Sequence, residues 1–80
     1  MPKYYSDGIS YKAAIAHTPS DDTAINCNAF MATDQDGATA IIDGDGNTST
    51  IYCLQGVIYP VAAAKIKATG TTPTTFVIFR

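Results

Sequence analysis

AKIKATGTTPTTFVIFR, residues 64–80, decides the fold. Its first six residues alternate. Ala64, Ile66 and Ala68 fall on one face, and Lys65, Lys67 and Thr69 fall on the other, which is the two-residue period of a half-buried strand. Gly-Thr-Thr-Pro at 70–73 breaks the pattern with turn-forming residues. TTFVIF at 74–79 is then apolar on both faces and stops at Arg80. A strand buried on both sides is central to its sheet or pressed against another subunit. Ile66, Phe76 and Ile78 are therefore expected in a core or at a protomer contact.

Upstream, the same language repeats. Residues 25–33 read as one strand centred on Ala29-Phe30-Met31, and Asp34–Gly37 as a turn. ATAIID (38–43) is the next strand, and Asp43–Asn47 the next turn, rich in residues that tolerate positive φ. TSTIYCL (48–54) follows, and Gln55-Gly56 turns the chain into Val57–Val61. Pro60 has no N–H to give to a ladder, so that segment is expected to be short or on an edge. Strand starts about ten residues apart predict a small antiparallel β-sandwich or barrel. Residues 1–24 differ. Their periodicity is weak, turn signals stand at 6–8, 18–20 and 21–22, and Ala13–Ala16 fits a short strand or one helical turn. They are expected to form an extended N-terminal arm on a β body of residues 25–80, the two making a single domain.

Composition agrees with an all-β chain. There is no Glu, and Leu54 is the single leucine, whereas 11 Thr, 9 Ile and 5 Tyr suit pleated, half-buried surfaces. The 12 Ala do not sustain a helical spacing. Eighty residues bury only about 60–65% of the surface that the unfolded chain exposes. Two cysteines cannot supply a dense disulfide framework. Oligomerisation is the remaining common way to complete so small a core.

The net charge of −2 conceals an asymmetry. Residues 1–45 hold all seven Asp against Lys3 and Lys12, net −5, and residues 46–80 hold only Lys65, Lys67 and Arg80, net +3. This fits either an uneven solvated surface or head-to-tail complementarity between protomers. Three scattered cations are too few for a nucleic-acid footprint. The longest uninterrupted apolar stretch, VIYPVAAA at 57–64, is far short of a membrane span. MPKYYSDG lacks the apolar run of a signal peptide, so synthesis in a reducing cytoplasm is expected, with Cys27 and Cys53 as free, core-like thiols.

Side chains that carry chemistry are sparse. His17 is the single histidine, and no nucleophile–base–orienter set can be assembled around it, so no enzymatic activity is expected. Asp43-Gly-Asp45-Gly-Asn47, with Asp34 and Asp36 upstream, is the nearest approach to a calcium loop. It lacks the Glu such a loop requires, and Asp-Gly and Gly-Asn pairs are what hairpin turns need. No metal or other cofactor is expected. Tyr4, Tyr5 and Tyr11 lie in the arm and Tyr59 in a strand, and aromatic residues on an arm anchor it to another surface. Tyr4, Tyr5, Tyr11 and Tyr59 thus join Ile66, Phe76 and Ile78 as candidate interface residues.

TPSDDT (18–23), the apolar strand at 29–33, the Asp-Gly turns, GVIYPV (56–61) and KIKATGTTPTTFVIF (65–79) together resemble small virion proteins of tailed bacteriophages and gene transfer agents. That group includes head spike-base proteins and is similar in plan to capsid decoration (cement) proteins. The resemblance covers residues 18–80, and its most specific part is ATGTT at 68–72 with the strand that follows. It implies a structural protein of the virion, assembled in the bacterial host cytoplasm, that binds the major capsid protein as a symmetric trimer or pentamer. A spike base would also carry a fibre protein. A receptor- or glycan-binding module, or a tail accessory protein, is the alternative, because fold does not fix position on a particle.

Overall fold

The β5–β6 hairpin shows how local sequence sets this architecture. β5 (Gly37–Ile42) and β6 (Thr48–Cys53) pair over six residues each, from Ile42↔Thr48 to Gly37↔Cys53. The Asp43–Asn47 loop joins them. Asp43 N–H donates to Asn47 C=O (2.9 Å), Gly46 N–H donates to Asp43 C=O (3.1 Å), and Gly46 takes a φ of 87°. The computed structural model describes residues 5–6 and 9–80, with side chains from Tyr11 onward. Besides the hairpin, the strands are β1 (Tyr5–Ser6), β2 (Ile9–Ser10), β3 (Ala14–His17), β4 (Ala29–Ala32), β7 (Ile58–Tyr59), β8 (Lys65–Ile66) and β9 (Phe76–Phe79). No helix forms among the described residues.

Two antiparallel sheets make the body. One has four strands in the order β3-β9-β4-β7, and the other three in the order β6-β5-β8. Among the described residues, β1 and β2 pair only with each other. The expectation for residues 74–79 holds: β9 is internal, with β3 on one side and β4 on the other. Phe30, Ala32, Phe76 and Ile78 of the larger sheet meet Ile41, Cys53 and Ile66 of the smaller, with Ile25, Cys27 and Ala63 filling between them. Cross-strand partners share a face, and the inner rows carry the large side chains. The result is the small all-β sandwich that the strand spacing predicted.

Three details depart from the sequence reading. Residues 25–33 are not one strand. Ile25 and Cys27 bond to Ala64 and Ala63 beside β8, and the chain then crosses to β4 in the other sheet. Asn26, between those two contacts, takes a φ of 48°, a conformation that asparagine tolerates better than most residues. The arm expected over 1–24 is shorter than the composition suggested, because β3 is a strand of the larger sheet, bonded to β9 of its own chain. Four consecutive residues with no polar alternation (Ala-Ala-Ile-Ala) hid it. Finally, the segment before Pro60 is both short and on an edge, as β7 pairs only with β4 over two residues.

A candidate docking face

Each sheet has a second face. On the larger sheet, the rows turned away from the core are Ala14–Phe79–Ala29 and Ala16–Val77–Met31–Ile58. A solvated face of an antiparallel sheet normally carries polar residues; these two rows carry none. Ala29 is buried, Phe79, Val77 and Met31 are half-buried, and Ala14, Ala16 and Ile58 are exposed. Tyr11 extends the face, its ring 5.2 Å from that of Phe79 and tilted by 40°. Val57 and Leu54, also exposed, lie in the turn before β7. The turn that carries them is tied to β4 by Gly56 N–H donating to Ala32 C=O (2.9 Å).

The candidate interface residues separate into distinct environments. Ile66, Phe76 and Ile78 are fully buried within the protomer and point into its core, so their side chains have no surface left for a neighbour. Val77 and Phe79, the alternate residues of β9, face the opposite way and are half-buried. Tyr59 is half-buried against Phe30 (ring centroids 6.2 Å), and its hydroxyl accepts the Leu54 N–H at 2.8 Å. Tyr11 sits on the outer face with Phe79. Tyr4 and the Tyr5 side chain lie outside the described residues. Sequence reasoning did not single out Met31, Val77 and Phe79, which the register places on the outer face. Their signal was available, because a strand apolar on both faces offers its odd and even positions to different partners.

Two carboxylate clamps fix the turn that leads into β9. Asp21 Oδ1 accepts the Thr69 N–H (3.0 Å) and its Oδ2 the Thr69 hydroxyl (2.7 Å). Asp34 accepts the Thr74 N–H (3.2 Å), the Thr74 hydroxyl (2.7 Å) and the Thr75 N–H (3.4 Å). The TPSD and ATGTT segments, far apart in sequence, are therefore one structural unit. The Thr74 hydroxyl bond, with the backbone N–H groups, holds the Asp34 carboxyl well below its ordinary range, at about 2. Asp21 and Asp43 are lowered in the same way, Asp21 chiefly by Thr69 N–H and Asp43 chiefly by Asn47 N–H. Burial shifts three further groups. It raises both thiols, Cys27 and Cys53, which are free and buried, and lowers His17, whose Nε2 has no hydrogen-bond partner.

These shifts set an acid response. A carboxyl whose folded pKa is depressed stabilises the fold above its unfolded value near 4, and that contribution is lost as pH falls toward the folded value. Stability is expected to fall between about pH 4 and pH 2. In urea titrations at stepped pH, the gap between the wild type and Asp34→Ala should be full at pH 6 and close as pH approaches 2. A gap independent of pH would show that the clamp does not depend on the charge.

The acidic turns are already occupied by N–H donors. Asp43 Oδ1 accepts from Asp45 N–H and Asn47 N–H (2.9 Å each), and Asp36 Oδ1 accepts from Gln55 N–H (2.7 Å). Among the described residues, no group of three or more His, Cys, Asp or Glu could hold a metal ion. EDTA is expected to leave Tm unchanged. A drop of several degrees, reversed by calcium and not by magnesium, would overturn the hairpin reading of these acids.

The chain is similar over its whole length to a chain in the capsid of a native gene transfer agent particle, a structure determined with C5 symmetry. The TM-score is 0.77, sequence identity is 28%, and the match covers 100% of both chains. No family model matches the sequence, and neither does any curated protein.

Proposed function

We propose that this chain is a structural protein of a virion, a capsid decoration or head spike-base protein that assembles as a closed homo-oligomer on the outer capsid. The full-length likeness to a gene transfer agent capsid chain carries this reading. The protein's own surface supports it. A decoration protein needs a flat face to lay on a shell, and the Ala16–Val77–Met31–Ile58 row provides one without a charge in it. A glycan-binding tip would instead need an exposed aromatic groove, and Tyr52 is the one markedly exposed aromatic among the described residues. The partner is the major capsid protein, with a fibre protein added if the chain is a spike base. The two closed rings expected from the sequence are a trimer and a pentamer, and a particle computed with C5 symmetry has room for either.

The test is reconstitution. Purified protein added to particles assembled without it should bind at saturable, symmetric positions visible by electron microscopy. Val77→Asp should abolish binding while the isolated protein keeps its β-sheet spectrum. Failure of the wild-type protein to bind such particles would defeat the reading. Light scattering at micromolar concentration is expected to give a trimer or pentamer mass, and a monomer there would remove the ring.

A further inference from the structure

Among the described residues, each sheet ends in a strand with one unpaired side, and the hydrogen bonds show which backbone groups face outward there. In the smaller sheet, Ala38 C=O accepts from Thr72 N–H (2.8 Å), Ala40 C=O from Lys67 N–H (2.8 Å) and Ile42 C=O from Ala64 N–H (2.7 Å). Ala40 N–H donates to Thr71 Oγ1 (2.9 Å). These three residues thus turn their peptide groups away from β6. In an antiparallel ladder the residue opposite does likewise. Their partners are Tyr52, Thr50 and Thr48, so the N–H and C=O groups of those three point out of the free edge of β6.

The same reasoning applies to β3. Ala13 and Arg80 exchange both hydrogen bonds (3.0 and 3.3 Å). The next pair, Ala14↔Phe79, and the one after Ile15↔Ile78, Ala16↔Val77, are therefore non-bonded pairs. Phe79 agrees, since its C=O accepts from Asn28 N–H (2.7 Å) on the far side. Ala14 and Ala16 present their peptide groups to the outside.

Soluble proteins protect such edges with lysines, prolines, bulges or short strands. Neither AIAH nor TSTIYC carries a lysine or a proline, and both ladders run without a bulge. The other two edges, β7 and β8, are only two residues long. We propose that the β6 edge (Thr48, Thr50, Tyr52) of one protomer receives the β3 edge (Ala14, Ala16) of a second copy, joining the two sheets across the subunit boundary. The occupant follows from the pair of edges. Both belong to this chain, neither carries a charge to repel the other, and exposed Ala14 and Ala16 leave room for close approach. The edges differ, so the contact is heterologous: it builds a ring where the rotation between copies closes, and not a two-fold dimer. Tyr52, 64% exposed, and Ile15, 38% exposed, lie on the two strands and gain cover from it.

This inference rests on the ring proposed above and specifies its contact. Proline separates the two readings. The Thr50 N–H takes no part in the protomer's own ladder, so Thr50→Pro removes an outward donor and leaves the β5 pairing intact. Sedimentation is expected to show its half-assembly concentration raised about tenfold or more, with an unchanged β-sheet spectrum. Ala16→Pro should do the same from the other edge. In wild-type protein, the Thr50 and Tyr52 amides should exchange with deuterium slowly above the assembly concentration and fast below it. That measurement decides the matter even where a proline variant fails to fold. Wild-type rings with fast exchange at Thr50 and Tyr52, or proline variants that assemble like the wild type, would overturn this contact alone. A wild type that stays monomeric would overturn the ring as well.

Discussion

Phe76→Ala is expected to lower the free energy of unfolding by about 3–5 kcal/mol. Phe76 is 1% exposed and pairs with His17 on β3 and Ala32 on β4, so it stands on the inner face of the central strand. Its ring meets Phe30 edge to face, with centroids 6.2 Å apart at 73°, and such pairs add to the area term. Truncation leaves a cavity between two sheets whose spacing is fixed by Ile66, Ile78 and Cys53 around it. A domain of this length has a total stability of about 4–12 kcal/mol at ordinary values per residue. The variant should therefore melt far below the wild type. Urea unfolding followed by tyrosine fluorescence measures it, with Val77→Ala as the comparison. Val77 lies one residue on but faces outward and is half-buried, so its truncation should cost the protomer less. Equal losses for the two would mean that the outer face is as much a core as the inner one.

That pair of residues also shows what the sequence could and could not disclose. FVIF at 76–79 announced a strand apolar on both faces, and β9 is internal to its sheet. The Asp-Gly and Gly-Asn turns announced the β5–β6 hairpin, and Gly70 takes the positive φ (85°) that a turn glycine permits. These features are local, so a single sequence carries them. The division of labour between the faces of β9 is not local. It depends on β3, which supplies no alternation, and on the sheet crossing between Cys27 and β4, which the sequence does not mark. The clamps were missed for the same reason. Asp21 and Asp34 read as turn residues, and each is a turn residue, but their carboxylates close on Thr69 and Thr74, 48 and 40 residues away. Buried Ile66, Phe76 and Ile78 were placed with the interface candidates because hydrophobicity alone does not distinguish a protomer's core from a contact between protomers.

Gly37→Ala is the second substitution expected to have a large effect, and it probes the junction that those clamps hold. Gly37 opens β5 directly under the 70–73 turn. A methyl group there would lie 2.5 Å from Thr72 Cβ, 2.9 Å from Thr72 Cγ2 and 3.1 Å from Pro73 Cδ. The nearest atom, Thr72 Cβ, is attached to backbone, so a side-chain rotation cannot move it aside. Relief requires the whole turn to move, and the turn is fastened by Thr72 N–H on Ala38 C=O (2.8 Å) and by Asp34 on Thr74. Forcing atoms into such a site costs about 1–3 kcal/mol. Thermal and urea unfolding should show a loss of this size, and the Thr72 and Thr74 amides should lose hydrogen-exchange protection before the rest of the sheet. Gly44→Ala is the control, because its added methyl meets no atom within 4 Å. The order of loss carries the argument. If the Gly37 variant opens first at Thr72 and Thr74, the ATGTT turn is a separately fastened latch on the sandwich. If the whole body loses protection together at the same cost, the turn and the core are one cooperative unit, and the strain at Gly37 is shared by every residue that Phe76 touches.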